Sequence, residues 1–191
     1  MRTKYKIFIA KIISKILKIM ISKDQIVVRN KIKWNLNLNE GIDLSIYLFG
    51  TSEKKIVNLK KIFKNTDQKL TVLDIGANIG SVSLIIANMF KNSKVFAIEP
   101  TTYAFDKLLS NIKLNHQLAN RIHARQLFIT NNKKPLSVWS SWNFDKTDKK
   151  HNKHFGTLKE VRKNSYIKLD EFIENENLIK VDFIKLDVDG Y

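Results

Sequence analysis

The chain has 191 residues, of which 43% are hydrophobic, and a net charge of +16 at pH 7. That length suits one domain with an extension, and the hydrophobic content is sufficient for a core. The sequence has no cysteine, which excludes a disulfide framework, a cysteine-ligated zinc site and a cysteine nucleophile and fits a cytoplasmic enzyme. The charge admits a nucleic-acid partner. Since 29 of the 34 basic residues are lysine, a compositional bias of the genome is the alternative explanation.

Residues 4–21 predict a basic amphipathic helix within a first segment that spans residues 1–22. At 3.6 residues per turn its lysines fall within a narrow sector, and apolar side chains fill the opposite face. The lysines are Lys4, Lys11, Lys15 and Lys18, and the apolar residues are Phe8, Ile9, Ile12, Ile13, Ile16, Leu17, Ile19 and Met20. Lysine interrupts every apolar run, so the sequence predicts neither a transmembrane span nor a signal peptide of ordinary length. Peripheral contact with an anionic membrane surface and packing against the globular domain remain two open interpretations.

The second segment, residues 23–69, is predicted to be an N-terminal extension of short strands and turns. Apolar and polar residues alternate from Ile32 to Leu38, as they do in a half-buried strand. Farther along, Thr51 and Ser52 offer hydroxyl caps ahead of a helical apolar stripe. The third segment, residues 70–191, is then expected to be the cofactor-binding domain.

The stretch TVLDIGANIG, residues 71–80, runs from an apolar strand into an acid and two glycines, and an apolar helix follows. A second strand, Val95–Ile98, ends on Glu99, so the order is that of a βαβ unit. A dinucleotide fingerprint keeps this turn free of acids so that a pyrophosphate can bind its N–H groups. Asp74 disfavours a diphosphate but suits a ligand that carries an ammonium and a sulfonium group, as S-adenosylmethionine does. Glu99 lies where doubly wound sheets usually hold a ribose diol.

Two further strands are predicted at Arg125–Ile129 and Asp182–Leu186, and the second delivers Asp187 at its end, with Asp189 two residues later. Ligands of doubly wound sheets bind at the carboxyl ends of the strands. We therefore expect the two carboxylates to orient the cofactor or to accept a proton from an acceptor hydroxyl, although turn and helix-cap chemistry would also explain them. Two acids make an incomplete ligand set, so no metal site is predicted.

A long loop is predicted after the third strand, at Asn131–Lys159. It contains exposed-looking aromatic and imidazole side chains: Trp139, Trp142, Phe144, His151 and His154. Because such a loop hangs near the carboxyl ends of the strands, these groups suit stacking on an acceptor and proton transfer. For each histidine on its own, a solvated surface position is the favoured interpretation.

Four stretches together resemble the FkbM-type class I methyltransferases: VLDIGANIG, FAIEP, the spacing F-x-x-L-x-x-N-x-x-x-N, and IKLDVDGY. The resemblance runs from about Trp34 to the last residue. It implies an α/β fold with a Rossmann-like, doubly wound sheet and dependence on S-adenosylmethionine. The cofactor-binding residues that it indicates are Asp74, Gly76, Asn78, Gly80, Glu99 and Asp187, and the catalytic residues are Asp187 and Asp189.

One departure from the family is that the chain stops at Tyr191, whereas family members continue with further strands. The sequence is therefore expected to be a fragment whose sheet is incomplete at its C-terminus. The predicted activity is methyl transfer to a hydroxyl, which the family implies to belong to a sugar, a glycan or a related small metabolite. An RNA or DNA methyltransferase is one alternative, although the Pro-Pro-aromatic element of amino methyltransferases is missing. An inactive membrane-associated or cofactor-binding fragment is the other.

Overall fold

The structure, a computed structural model, describes residues 3–131, 137–139, 158–160 and 166–187. The chain forms two compact units. The first comprises Met1–Ser52 with Trp139–Leu158, and the second comprises Glu53–Val138 with Lys159–Tyr191. The three segments expected from the sequence, with their ends at residues 22 and 69, stay a prediction.

The first unit begins with helix α1 (Thr3–Met20), followed by strands β1 (Asp24–Arg29) and β2 (Ile32–Asn37) and helix α2 (Gly41–Phe49). The two strands form an antiparallel hairpin whose two turn residues both have positive φ, as tight hairpin turns require. Alternate residues of β2 are buried, which confirms the predicted half-buried strand. Helix α2 ends at Gly50, whose φ of 77° is the left-handed conformation that glycine adopts readily.

Helix α1 confirms the predicted helix, and much of its apolar face is exposed. The side of the helix that carries Ser14 is attached to the rest of the first unit, because the buried hydroxyl of Ser14 donates a 2.8 Å hydrogen bond to the carbonyl of Leu38. A stripe of large apolar side chains is left 43–85% exposed, and it consists of Ile9, Ile12, Ile16, Ile19 and Met20. The exposed Lys15 lies next to this stripe in the helical projection. Within the described residues, no helix is both long and apolar enough to span a membrane.

The second unit contains a 3₁₀ helix (Lys54–Asn58) and alternating helices and strands. Its first elements are α3 (Leu59–Ile62), β3 (Leu70–Ile75), α4 (Ser81–Met89), β4 (Ser93–Ile98), α5 (Thr102–Leu114), α6 (His116–Ala119) and β5 (Ile122–Arg125). The short strands β6 (Phe128–Ile129), β7 (Ser137–Trp139), β8 (Leu158–Glu160) and β9 (Tyr166–Ile167) follow, and Trp139 of β7 and Leu158 of β8 fall within the range of the first unit. Helix α7 (Leu169–Asn175) and strand β10 (Phe183–Leu186) complete the described part.

Strands β10, β3, β4 and β5 lie in that order in one sheet, and every neighbouring pair is parallel. Strands β3 and β4 are buried almost throughout, as expected when helices cover both faces of a parallel sheet. The chain moves outward from β3 through β4 to β5 and then returns to place β10 on the other side of β3. This reversal makes a topological switch point between β3 and β10, where doubly wound sheets bind ligands. The predicted α/β, Rossmann-like fold class is confirmed.

The third predicted strand, Arg125–Ile129, is wrong in its position. The sheet strand is β5, Ile122–Arg125, whose buried Ile122 pairs with Val95, and Phe128–Ile129 instead pairs with Tyr166–Ile167. Two contacts explain the break. The guanidinium of Arg125 is held by both carboxylate oxygens of Glu176, and the buried ring of Phe128 packs edge-on against Tyr166.

Candidate functional site

The loop between β3 and α4 uses its own N–H groups internally. The amides of Gly76 and Ala77 both donate to the carbonyl of Ile98 at 2.9 and 3.0 Å. The amide of Asn78 donates to Glu99, that of Ile79 to the side chain of Asn78, and that of Gly80 to the carbonyl of Ala77, each at 2.9 Å. Phosphate-binding loops instead aim free N–H groups at the ligand. The amides of these five residues are therefore not free to bind a diphosphate, which agrees with the argument made from Asp74.

The backbone of the loop takes the left-handed conformation three times, at Gly76, Asn78 and Gly80, whose φ values are 78°, 51° and 87°. A side chain at Gly80 would also require its neighbours to move. A Cβ atom there would lie 2.7 Å from Cδ1 of both Leu84 and Leu108, the flexible ends of two side chains. The second glycine of the motif is thus favoured mainly by its left-handed backbone conformation.

Helix α5 supports the loop from the side through residues of the motif F-x-x-L-x-x-N-x-x-x-N. The buried Asn111 donates from Nδ2 to the carbonyl of Ile79 at 2.9 Å, and Asn115 donates from Nδ2 to the carbonyl of Asn111 at 2.7 Å. The asparagines of that motif therefore satisfy backbone carbonyls rather than face a ligand.

Glu99, predicted to hold the ribose, lies at the end of β4 and is almost fully buried. Its Oε1 accepts hydrogen bonds from the amide and the hydroxyl of Thr101 at 2.9 and 2.6 Å, and its Oε2 accepts from the amide of Asn78. Burial raises the pKa of Glu99 above its ordinary value, while the bonds from Thr101 and Asn78 act in the opposite direction. Each carboxylate oxygen has two acceptor positions, so Oε2 can accept a further hydrogen bond.

Asp74 is fully buried at the end of β3. Its Oδ2 accepts a 2.6 Å hydrogen bond from the hydroxyl of Ser83 in α4. Its Oδ1 accepts no hydrogen bond from the described residues, but the ammonium of Lys185 lies 3.4 Å away. The carboxylate thus already has a cation inside the protein, which the sequence analysis did not foresee.

Lys185 of β10 is the centre of a charged cluster at the switch point. Its Nζ donates to the carbonyl of Gly76 at 2.9 Å and lies 3.4 Å from Asp74 Oδ1, 3.4 Å from Asp187 Oδ2 and 3.9 Å from Glu53 Oε1. The lysine side chain is only 12% exposed. Burial alone would lower the pKa of Lys185, but the three carboxylates outweigh it and raise the pKa above its ordinary value. The ammonium is therefore charged at neutral pH.

Asp187 follows β10 and presents its carboxylate at the rim of this cluster. Its amide donates to the carbonyl of Ile75 at 3.1 Å, and its side chain is 62% exposed. The structure thus brings Asp187 together with Asp74 and with the loop at Gly76. Asp189 lies outside the described residues, as do Trp142, Phe144, His151 and His154 of the predicted acceptor loop.

Lys185 and Glu53 were missed by the sequence analysis. A signal for Lys185 was present, because strand residues two apart point to the same face and Lys185 precedes Asp187 by two. Glu53 lies in the segment before β3, and no local pattern connects it to the site. Burial raises the pKa of Glu53 despite the opposing effect of Lys185.

The cluster of Glu53, Asp74, Asp187 and Lys185 contains three carboxylates and one ammonium. Because the carboxylates outnumber the ammonium, the cluster attracts positive charge, and this attraction is strong in a partly buried site. The cluster therefore favours a cationic ligand. Among the described residues, no group of three or more histidine, cysteine, aspartate or glutamate side chains is arranged to hold a metal ion.

Comparison with protein families gives a match between residues 74–191 and the model described as the methyltransferase FkbM domain. No curated protein matches the chain. Among solved structures, a putative transferase from Pyrococcus horikoshii shares 28% identity over 56% of this chain and 37% of its own length, with a TM-score of 0.44. TYW2 of P. horikoshii, in complex with MeSAdo, shares 22% identity over 73% of this chain and 53% of its own, with a TM-score of 0.41. The chain thus spans about a third to a half of the length of these two proteins.

Proposed function

The chain belongs to the FkbM family of S-adenosylmethionine-dependent methyltransferases, and from this premise we propose that it transfers the methyl group of S-adenosylmethionine to a hydroxyl. The acceptor that we propose is a sugar, a glycan or a related small metabolite. The observation that supports cofactor binding most is the loop from Gly76 to Gly80, whose amides are used internally and which lies against an acidic cluster. Such a site suits a ligand of net positive charge that carries an ammonium and a sulfonium, as S-adenosylmethionine does.

The proposed cofactor-binding residues form two groups, and each group contacts a different part of the ligand. In this proposal the amino-acid end is surrounded by Asp74 of β3, by the loop residues Gly76, Asn78 and Gly80, and by Asp187. Glu99 accepts a hydrogen bond from the ribose through Oε2. When bound, S-adenosylmethionine supplies a methyl group that is already activated by its sulfonium. The protein has then mainly to align the acceptor with the methyl group and to exclude water.

A hydroxyl acceptor gains from a nearby base, because a protonated hydroxyl is a poor nucleophile. Asp187 fits this role, since its carboxylate is exposed at the rim of the cluster while its backbone is fixed to β3. We propose the same role for Asp189, which follows Asp187 by two residues in the sequence and lies outside the described residues. An Asp187→Asn variant keeps the shape of the side chain and removes the base.

The test is a methyl-transfer assay with S-adenosylmethionine labelled in the methyl group, against a panel of sugars, glycans and small alcohols and against RNA and DNA. We expect label in a hydroxyl-bearing acceptor and, in Asp187→Asn, a loss of turnover much larger than the loss of cofactor affinity. The exposed Asp67, which lies outside the site, supplies the control variant Asp67→Asn. Cofactor binding without transfer to any acceptor would favour the alternative of an inactive cofactor-binding fragment.

A nucleic-acid acceptor is the second candidate, and the net charge of +16 favours it. Binding through phosphate contacts releases counterions, so its affinity falls steeply as salt rises. Titration of RNA at increasing salt, followed by the transfer assay with the same RNA, separates the candidates. Methylation of RNA would establish this alternative. Salt-sensitive binding without methylation would mean that the positive charge of the chain causes only non-specific association with RNA.

We also propose a peripheral contact between helix α1 and an anionic membrane surface. The exposed apolar stripe from Ile9 to Met20 beside lysines is the pattern of helices that lie in the interface of an anionic bilayer. Replacement of Ile16 and Ile19 by glutamate is expected to abolish co-sedimentation with anionic vesicles. The control is Ile179→Glu, at a fully exposed position of the second unit. Equal sedimentation of the two variants would refute the contact.

A further inference from the structure

Lys185 is an unusual residue for a strand of a cofactor-binding sheet, because it places a charged ammonium almost out of contact with solvent. Removing an ammonium from water is costly unless it is paired and hydrogen-bonded. Here it is compensated by one backbone carbonyl and three carboxylates, which come from β3, from the residue after β10 and from the segment before β3. The lysine thus joins parts of the chain that are distant in sequence.

Lys185 contacts the loop between β3 and α4 directly, through its hydrogen bond to the carbonyl of Gly76. Gly76 is in the left-handed conformation, and its amide is bonded to Ile98. Its peptide is thus fixed on one side by a neighbouring strand and on the other by Lys185. The same ammonium faces Asp74 Oδ1, the carboxylate oxygen for which the described residues supply no hydrogen bond.

We propose that Lys185 is a positioning residue for cofactor binding, which holds the carbonyl of Gly76 and the carboxylates of Asp74 and Asp187 in the arrangement that S-adenosylmethionine needs. This inference rests on the proposed function. Lys185 acts through the loop and the carboxylates and does not itself touch the cofactor. Preorganised loops bind more tightly because the cost of ordering them is met before the ligand arrives.

The positioning role makes a prediction opposite to that of a simple charge effect. Removal of a positive charge near the site would strengthen binding of the cationic S-adenosylmethionine relative to S-adenosylhomocysteine, whose sulfur is uncharged. Loss of a positioning residue instead weakens both ligands by a similar factor, because both share the same amino-acid end. The ratio of the two affinities therefore separates the mechanisms.

The experiment titrates both ligands by calorimetry into the wild-type chain and into Lys185→Met, Lys185→Arg and Lys91→Met, with thermal unfolding of each. Lys91 is a matched control, since it lies 3.4 Å from a single carboxylate, that of Asp67, but at the surface. We expect Lys185→Met to weaken both ligands by about tenfold or more, as loss of a hydrogen bond from a charged group would. Lys185→Arg should recover part of the affinity, and Lys91→Met should bind as the wild type does.

Wild-type-like binding of both ligands by a folded Lys185→Met would overturn the inference while leaving the proposed function intact. Tighter binding of S-adenosylmethionine alone would also overturn it, in favour of a charge effect. If Lys185→Met shows no cooperative unfolding transition, the titrations are repeated with Lys185→Gln. If neither variant folds, Lys185 is needed for stability and the positioning role is overturned. Failure of the wild-type chain to bind either ligand would reject the proposed function, and the inference would fall with it.

Discussion

The side chain of Asn111 donates a 2.9 Å hydrogen bond to the main-chain carbonyl of Ile79, 32 residues earlier in the sequence. This bond attaches helix α5 to the loop between β3 and α4, at the residue before Gly80. Both groups are buried, so water does not replace the bond if it is lost. The loop that carries the glycine motif is therefore held by a residue from the next helix, and not by its own sequence alone.

Replacement of Asn111 by leucine is expected to lower the free energy of unfolding by about 1–3 kcal/mol, because the carbonyl of Ile79 is left buried without a donor. Chemical denaturation of the two proteins measures the difference. The control is Asn92→Ala, which removes an exposed hydrogen bond to the carbonyl of Asp67 and should cost less. Equal losses in the two variants would contradict the role assigned to Asn111.

Gly80→Ala is expected to destabilise the chain by at least about 1–3 kcal/mol, the usual cost of one residue forced into an unfavourable backbone conformation. The added Cβ would also lie 2.7 Å from Cδ1 of Leu84 and Leu108, so these two side chains would have to move aside. Gly41→Ala, at the start of helix α2, is the control, because its φ is not in the left-handed region. A Gly80→Ala protein with unchanged stability and unchanged cofactor affinity would contradict the prediction that this position needs glycine.

Asp182 predicts a pH-dependent contribution to stability. Its pKa lies below its ordinary value of 3.8, mainly because of a side-chain hydrogen bond from Lys180 and a backbone hydrogen bond from the amide of Thr71. A lowered pKa in the folded state means that the stabilisation is present above about pH 4 and is lost as the pH falls through the folded-state value. Asp182→Asn should thus lower the stability at pH 7, and the difference from the wild type should shrink below about pH 4.

Denaturant titrations of both proteins from pH 7 down to pH 3 measure this prediction. The carboxylate oxygen that accepts from Thr71 at 2.9 Å fixes the start of β3 next to β10, so the effect is on the sheet itself. A difference between the two proteins that stays constant over the whole pH range would show that the charge of Asp182 contributes nothing.

The strand and loop pattern around Asp74 was predictable because each of its signals is local. A buried parallel strand is a continuous apolar run, and the following Gly76 and Gly80 both take a positive φ that glycine adopts readily. The same local patterns predicted that β4 ends at Ile98, just before Glu99, and they placed the start of β10 within one residue of its observed position.

Long-range features were not predictable in the same way. The cluster at Lys185 depends on residues from three distant segments, and a lysine in a strand is more often a solvated residue than a buried one. The third strand was misplaced because Phe128 and Ile129 have the composition of a sheet strand but pair with Tyr166–Ile167. In α1, periodicity identified the helix, but it gave no indication of which apolar side chains would be covered.

The central claim is that the loop after β3 binds S-adenosylmethionine and not a dinucleotide. The most direct measurement is a calorimetric titration of the 191-residue chain with S-adenosylmethionine and, separately, with NAD⁺, together with Glu99→Gln and the exposed control Glu174→Gln. We predict saturable binding of S-adenosylmethionine at one site, weakened in Glu99→Gln and unchanged in Glu174→Gln, and no binding of NAD⁺. A folded chain that binds NAD⁺, or that shows no heat with S-adenosylmethionine, would contradict the account.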